Sequence, residues 1–254
     1  MNVSQKDGVT VIQLTGGSAT QSFSREFLPK IRDVILEHIG CKAIVITGEG
    51  RFFSAGADIV AFQESINEGN SVELIRHLTG ILHPLLLKMR TSETIFVAAL
   101  NGASAGGGLG LALACDARIA SPGGKMAASY SGIGLSPDGG TTWLLPRLVG
   151  EQVARKFFFE NQIWSANEAF ELGAVDEVVA EDRLIERAIE VASTWSQWGT
   201  HTKEATKHLL LTQNVNDFET HLKHERTLIE AAGTTPAFAE GIDAFLSKRK
   251  PDFS

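Results

Sequence analysis

The sequence predicts an α/β fold that ends in a helical region, on three observations. Two short, continuously apolar runs, Ala43–Thr47 and Ile95–Leu100, read as strands covered on both faces. The segments between and before them carry apolar residues at helical spacing. After about residue 150 the character changes, and the C-terminal quarter reads as helical with no linker composition before it. The chain has 254 residues, enough for one large domain with a sizeable core.

Taken in order, Val9–Leu14 reads as a strand stopped by Gly16-Gly17. Phe23, Phe27, Ile31, Val34, Ile35 and Ile39 form a helical stripe after it. The strand Ala43–Thr47 comes next, then a second stripe of Val72, Ile75, Leu78, Leu82, Leu85 and Met89, then the strand Ile95–Leu100. Further on, Ser165-Ala166-Asn167-Glu168 is a capping box, with Gly173 as the stop of its short helix. Helices are expected near 181–197, 200–213, 216–232 and 236–247, the last with Thr235 as N-cap and Pro236 at its first position.

A net charge of −7 argues against nonspecific nucleic-acid binding, with Lys248-Arg249-Lys250 the one local basic cluster suited to phosphate. Cys41 and Cys115 lie far apart beside apolar runs and read as reduced thiols. The seven histidines form no metal set, and His221 and His224 lie on a charge-rich helix face, so no metal is expected. Met1–Asp7 has no apolar leader core, and no apolar run approaches the ~20 residues that span a bilayer. A cytoplasmic protein without membrane partners is expected.

Candidate chemistry lies in two glycine-bearing segments after the buried strands, Arg51–Ile59 and Asn101–Gly110. If Gly106-Gly107-Gly108 opens a helix, its first N–H groups are unsatisfied donors at the positive end of the dipole, suited to an oxyanion. A tight turn with close helix–strand packing explains the same glycines. A phosphate loop fits poorly, because Leu109-Gly110-Leu111 stands where Lys and Ser/Thr belong. Gly102-Ala103-Ser104-Ala105-Gly106 also matches a nucleophile elbow, which makes a serine hydrolase using Ser104 an alternative. In the third segment, Ser129–Trp143, Asp138 is either the cap of a following helix or a carboxylate poised for proton transfer.

Together these segments resemble the crotonase superfamily, the enoyl-CoA hydratase/isomerase family. The resemblance rests on Ser54–Ile59, Asn101–Gly108, Leu111–Asp116, Ile133–Gly140, Leu145–Gly150 and Glu240–Leu246 with Lys248–Pro251, in the family's order. It implies a ββα spiral core over 1–195 and a helical C-terminal region over 196–254 that helps close the site and assembles homotrimers or hexamers. By the same resemblance, the N–H groups of Ala57 and Gly107 form an oxyanion hole for an acyl-CoA thioester. Ala55 and Ile59 then meet the CoA, which is part of the substrate, and no bound cofactor is needed.

The family's hydratases place two glutamates where this chain has Gly110 and Tyr130, so the usual water addition is not expected. Asp138 instead falls where isomerases of the family, including ring-opening epoxyphenylacetyl-CoA isomerases, carry their acid. The resemblance therefore implies an isomerase that shifts a double bond or opens an epoxide through Asp138, with Tyr130 and Trp143 lining the acyl pocket. A hydratase, an aryl-CoA dehalogenase with a carboxylate nucleophile, a thioester hydrolase and a noncatalytic scaffold are the alternatives.

Overall fold

The computed structural model describes residues 1–16 and 18–253. A six-stranded sheet has the order β1 (Asn2–Lys6), β2 (Val9–Gln13), β3 (Ala43–Thr47), β5 (Ile95–Leu100), β7 (Ala117–Ala120) and β10 (Glu177–Val178). Its pairings are parallel except for the β1–β2 hairpin. A second sheet runs β4 (Phe52–Ser54), β6 (Ala103–Ala105), β8 (Lys125–Ala127) and β9 (Ile163–Ser165), with only β9 antiparallel.

The chain therefore winds as a spiral that places one strand in each sheet per turn. Strand β3 leads to β4 and then to α2 (Ile59–Glu68) and α3 (Ser71–Thr91). In the next turn β5 leads to β6 and α4 (Gly107–Ala114), and in the third β7 leads to β8. Beyond these lie α5 (Thr141–Val149), α6 (Glu151–Phe159), α7 (Ala166–Glu171), α8 (Leu184–Ser196), α9 (Thr200–Thr212), α10 (Phe218–Ala232) and α11 (Pro236–Leu246).

The unbroken apolar strands are explained by helices on both faces of the large sheet. Ile44, Ile46, Phe96, Ala98 and Leu100 pack toward α1 (Phe27–His38), α3 and α4. Val45, Ile95 and Val97 point the other way, onto Leu184, Ala188 and Ile189 of α8. With a side-chain period of two, only a strand buried on both sides needs apolar residues at every position.

The capping box at Ser165 and the Thr235 cap with Pro236 form as expected. Helix α1 starts at Phe27, later than the apolar stripe suggests, because the Phe23 backbone is held elsewhere: its N–H donates to Gly56 O at 2.6 Å. The first predicted strand ends at Gln13; of its glycine stop, Gly17 lies outside the described residues. Among the described residues, no helix is long and apolar enough to cross a membrane.

Candidate active site

The spiral brings the ends of β4 and β6 side by side, and with them the two glycine-bearing segments. Gly56 has φ +75°, and a Cβ built on it would lie 2.6 Å from Ala105 O and 2.8 Å from Gly107 N. Only a residue without a side chain lets the two loops approach this closely. Phe23 clamps the first loop through Gly56 O and through Asp58 N, while the N–H of Ala57 between them makes no hydrogen bond among the described residues. Gly107 is the first residue of α4, so its N–H has no partner within the helix and sits at the positive end of the helix dipole.

A cavity of about 480 Å³ opens over these two amides, a volume in the usual range for small-molecule sites. Ala55, Ala57, Ile59, Gly107, Tyr130 and Asp138 all line it. Its remaining wall is mostly apolar, with Phe23, Phe62, Leu78 and Leu82 among the contributors. Two N–H donors in such an apolar wall favour an oxygen that gains negative charge, because low local polarity strengthens each hydrogen bond.

Asp138 does not cap the helix that follows it. The N-cap of α5 is Gly140 in the left-handed region, without a side-chain cap. The Asp138 backbone carbonyl instead accepts from Thr141 N at 3.2 Å and Thr141 Oγ1 at 2.9 Å, which fixes the turn and leaves the carboxylate to face inward. There Oδ1 accepts from the Tyr130 hydroxyl at 3.0 Å, and Oδ2 lies 3.4 Å from His83 Nε2. The Gly139 N–H donates to the same His83 nitrogen at 3.3 Å. Burial, reinforced by the Asp138 charge, raises the Tyr130 pKa well above its ordinary value, so its hydroxyl serves as a hydrogen-bond donor.

The position of the first hydratase glutamate has no room for a side chain. A Cβ on Gly110 would lie 2.6 Å from Gly139 O and 3.1 Å from Gly139 Cα. The glycine at 110 and the loop that carries Asp138 are thus packed against each other.

Trp143 is corrected: it does not line this cavity. Thr141 and Leu145 form the buried face of α5, so Trp143 points to another side, with the Arg147 guanidinium 3.5 Å above its ring. The nucleophile-elbow reading of Ser104 is corrected as well. Ser104 is buried in β6, and its hydroxyl donates to Lys125 O at 3.0 Å. In the basic C-terminal cluster, Arg249 is already ion-paired with Glu240 and Asp243.

His83 was not singled out from the sequence. It follows Leu82 of the apolar stripe in α3, and its partner Asp138 is 55 residues away, so nothing local marks it.

The chain is similar to known proteins over nearly its whole length. The sequence model described as enoyl-CoA hydratase/isomerase matches residues 4–254. A probable enoyl-CoA hydratase of Bacillus subtilis is 34% identical over 253 residues, covering 99% of this chain and 96% of the relative. A 4-chlorobenzoyl coenzyme A dehalogenase of Arthrobacter sp. is 30% identical, covering 98% and 91%. The 1,2-epoxyphenylacetyl-CoA isomerase of Escherichia coli is 29% identical, covering 97% and 95%. Among solved structures, an enoyl-CoA hydratase from Polaromonas sp. JS666 superposes with a TM-score of 0.91 at 27% identity, over 99% of this chain and 98% of that one.

Proposed function

The chain belongs to the enoyl-CoA hydratase/isomerase family, and within it we propose a cofactor-independent acyl-CoA isomerase that moves a double bond, or opens an epoxide, by proton transfer at Asp138. The reading rests chiefly on one relationship: Asp138 shares a cavity wall with Ala57 and Gly107. The thioester oxygen accepts from the two N–H groups, which lowers the cost of removing a proton from the acyl chain. Asp138 takes that proton from one carbon and returns it to another, while the donors hold the enolate between the two steps. Tyr130 and the packed Gly110 support isomerisation over hydration, because neither position supplies a carboxylate to activate water.

Incubation with a 3-enoyl-CoA in D2O tests this. The expected product is the 2-enoyl-CoA, with Asp138→Asn slower by about 10²–10⁴-fold. Full turnover in Asp138→Asn, or 3-hydroxyacyl-CoA as the main product, overturns it.

A second reading draws on the imidazole 3.4 Å from Asp138 Oδ2 and on the resemblance to 4-chlorobenzoyl-CoA dehalogenases. In it Asp138 attacks an aryl carbon and displaces the halide, and His83 takes a proton from the water that hydrolyses the resulting ester. Chloride release from 4-chlorobenzoyl-CoA, with solvent ¹⁸O appearing in the Asp138 carboxylate, distinguishes it from isomerisation.

We further propose that the helical region 196–254 assembles the chain into homotrimers or hexamers in the cytoplasm. Exposed Phe218, Ile229, Phe245 and Leu246 on α10 and α11 support an assembly surface there. Sedimentation of the wild type and of Phe245→Glu tests it, with a smaller species expected for the variant.

A further inference from the structure

A second cavity, of about 490 Å³, lies between the end of α3, helix α5 and helices α8 and α9. It is separate from the thioester site: its wall includes the C-terminal end of α4 at Leu113, whereas the thioester cavity takes in Gly107 at the start of that helix. Two features set it apart from an ordinary packing defect.

The first is charge. Arg90, Arg118, Arg147, Lys203 and Lys207 line it, against the single carboxylate of Asp116, in a chain whose net charge is −7. Two of these cations are fully engaged. Lys207 donates to Asp116 and to the carbonyls of Met89 and Thr94, and Arg118 bonds Asp176 and the carbonyls of Ala174 and Cys115. The others are less so. Arg147 donates to Trp143 O at 2.6 Å and stacks on the Trp143 ring but forms no ion pair among the described residues. Arg90 reaches Asp116 only at 3.5 Å, and its Nε is buried without a hydrogen-bond partner. The Lys203 ammonium makes no hydrogen bond among the described residues although the residue is buried, and that burial lowers its pKa despite the charge of Glu93 nearby. A buried cation with an unpartnered donor, as at Arg90, is costly unless an anion completes it.

The second feature is aromatic. Trp143, Trp195 and Trp198 line the same cavity, and Trp195 and Trp198 are exposed. Indole faces beside cationic groups suit a flat ring that bears a negative charge.

We propose that this cavity binds a small aromatic carboxylate, with its ring among the tryptophans and its carboxylate on Lys203, Arg90 and Arg147. The volume is adequate for such a ligand, and the site is independent of the reaction assigned to Asp138.

Tryptophan emission of the full chain provides the test. Of four tryptophans, three line this cavity, and none lines the thioester cavity. Benzoate and phenylacetate are expected to quench the emission saturably, and benzamide is not. Lys203→Met and Arg147→Gln are each expected to raise Kd by about tenfold, the loss of one charge-assisted contact. Arg147 is exposed, so the second variant does not threaten the fold. Equal quenching by benzamide and benzoate, or an unchanged Kd in both variants, overturns the proposal. So does an absence of quenching, including the case in which Trp195→Ala shifts the oligomeric state because a second copy fills the cavity.

Discussion

The Tyr130 hydroxyl donates to Asp138 Oδ1 across 3.0 Å and also lies 3.2 Å from the Asp138 carbonyl oxygen. One phenol thus holds both the side chain and the backbone of the proposed acid, at the sequence position where a hydratase of the family carries a glutamate. Tyr130→Phe keeps the ring in the wall and removes only this restraint. We expect kcat to fall by about tenfold, the worth of one such hydrogen bond, with KM nearly unchanged. Steady-state kinetics on the isomerised substrate checks the split, and an unchanged kcat removes the positioning role.

The same phenol leaves a mark on stability. Its pKa is raised in the folded chain, by burial first and by the Asp138 charge second. The unfolded chain therefore releases this proton earlier, near the ordinary value of ~10. Stability from this group is complete below that value and is lost as pH rises beyond it. Denaturant melts at about pH 8 and pH 10.5 are expected to show a steeper decline for wild type than for Tyr130→Phe.

Gly56 governs the spacing of the two amide donors. With φ +75° and backbone atoms of Ala105 and Gly107 within 2.8 Å of any added Cβ, Gly56→Ala forces the loops apart. Turnover is expected to drop by about 10²–10³-fold, as when one oxyanion donor is lost. Comparing kcat/KM with binding of free CoA checks it: CoA binding should change far less than turnover.

How much of this was legible follows from the range of each interaction. The buried strands and long helices announce themselves through periodicity. The three-residue strands β4 and β6 are too short for any period, and α2 carries no buried apolar stripe because Ile59, Val60 and Ile66 are exposed. Strand β1 is exposed along its whole length and carries no apolar pattern; its one local signal is the Asp7-Gly8 hairpin turn, where both residues have positive φ, 53° and 76°. At the site, local sequence leaves Asp138 open between a helix cap and a reacting carboxylate. Its true partners, Tyr130 and His83, are 8 and 55 residues away, and only the folded chain brings the histidine near. The two glycine-bearing loops stand out by their glycine placement, while their role as donors comes only through the family resemblance; the direction of Trp143 depends on which face of α5 is buried.

Lys207 fastens α9 to the core. Its ammonium donates to Met89 O at 2.8 Å, Thr94 O at 2.9 Å and Asp116 Oδ2 at 2.9 Å. Lys207→Met leaves Asp116, itself largely buried, without its nearest cation. A loss of about 3 kcal/mol in unfolding free energy is expected, the lower part of the range for a broken buried pair. Urea titration measures it, and a loss below about 1 kcal/mol contradicts this account of the helix attachment.

Gly110 decides whether the missing hydratase carboxylate can simply be restored. The obstacle lies at Cβ, 2.6 Å from Gly139 O, so it is the same for every side chain. Gly139 is buried, has φ +59° and adjoins Asp138, so relief of the clash displaces the proposed acid. Displacement of a reacting group by about 1 Å can cost about 10²-fold in rate. Gly110→Ala and Gly110→Glu are therefore expected to lose isomerase turnover to a similar extent, and Gly110→Glu to gain no hydration. Assays of both variants for 2-enoyl- and 3-hydroxyacyl-CoA check this. A silent Gly110→Ala would show that the loop yields without moving Asp138, and hydration by Gly110→Glu would show that the carboxylate, not the space, was limiting.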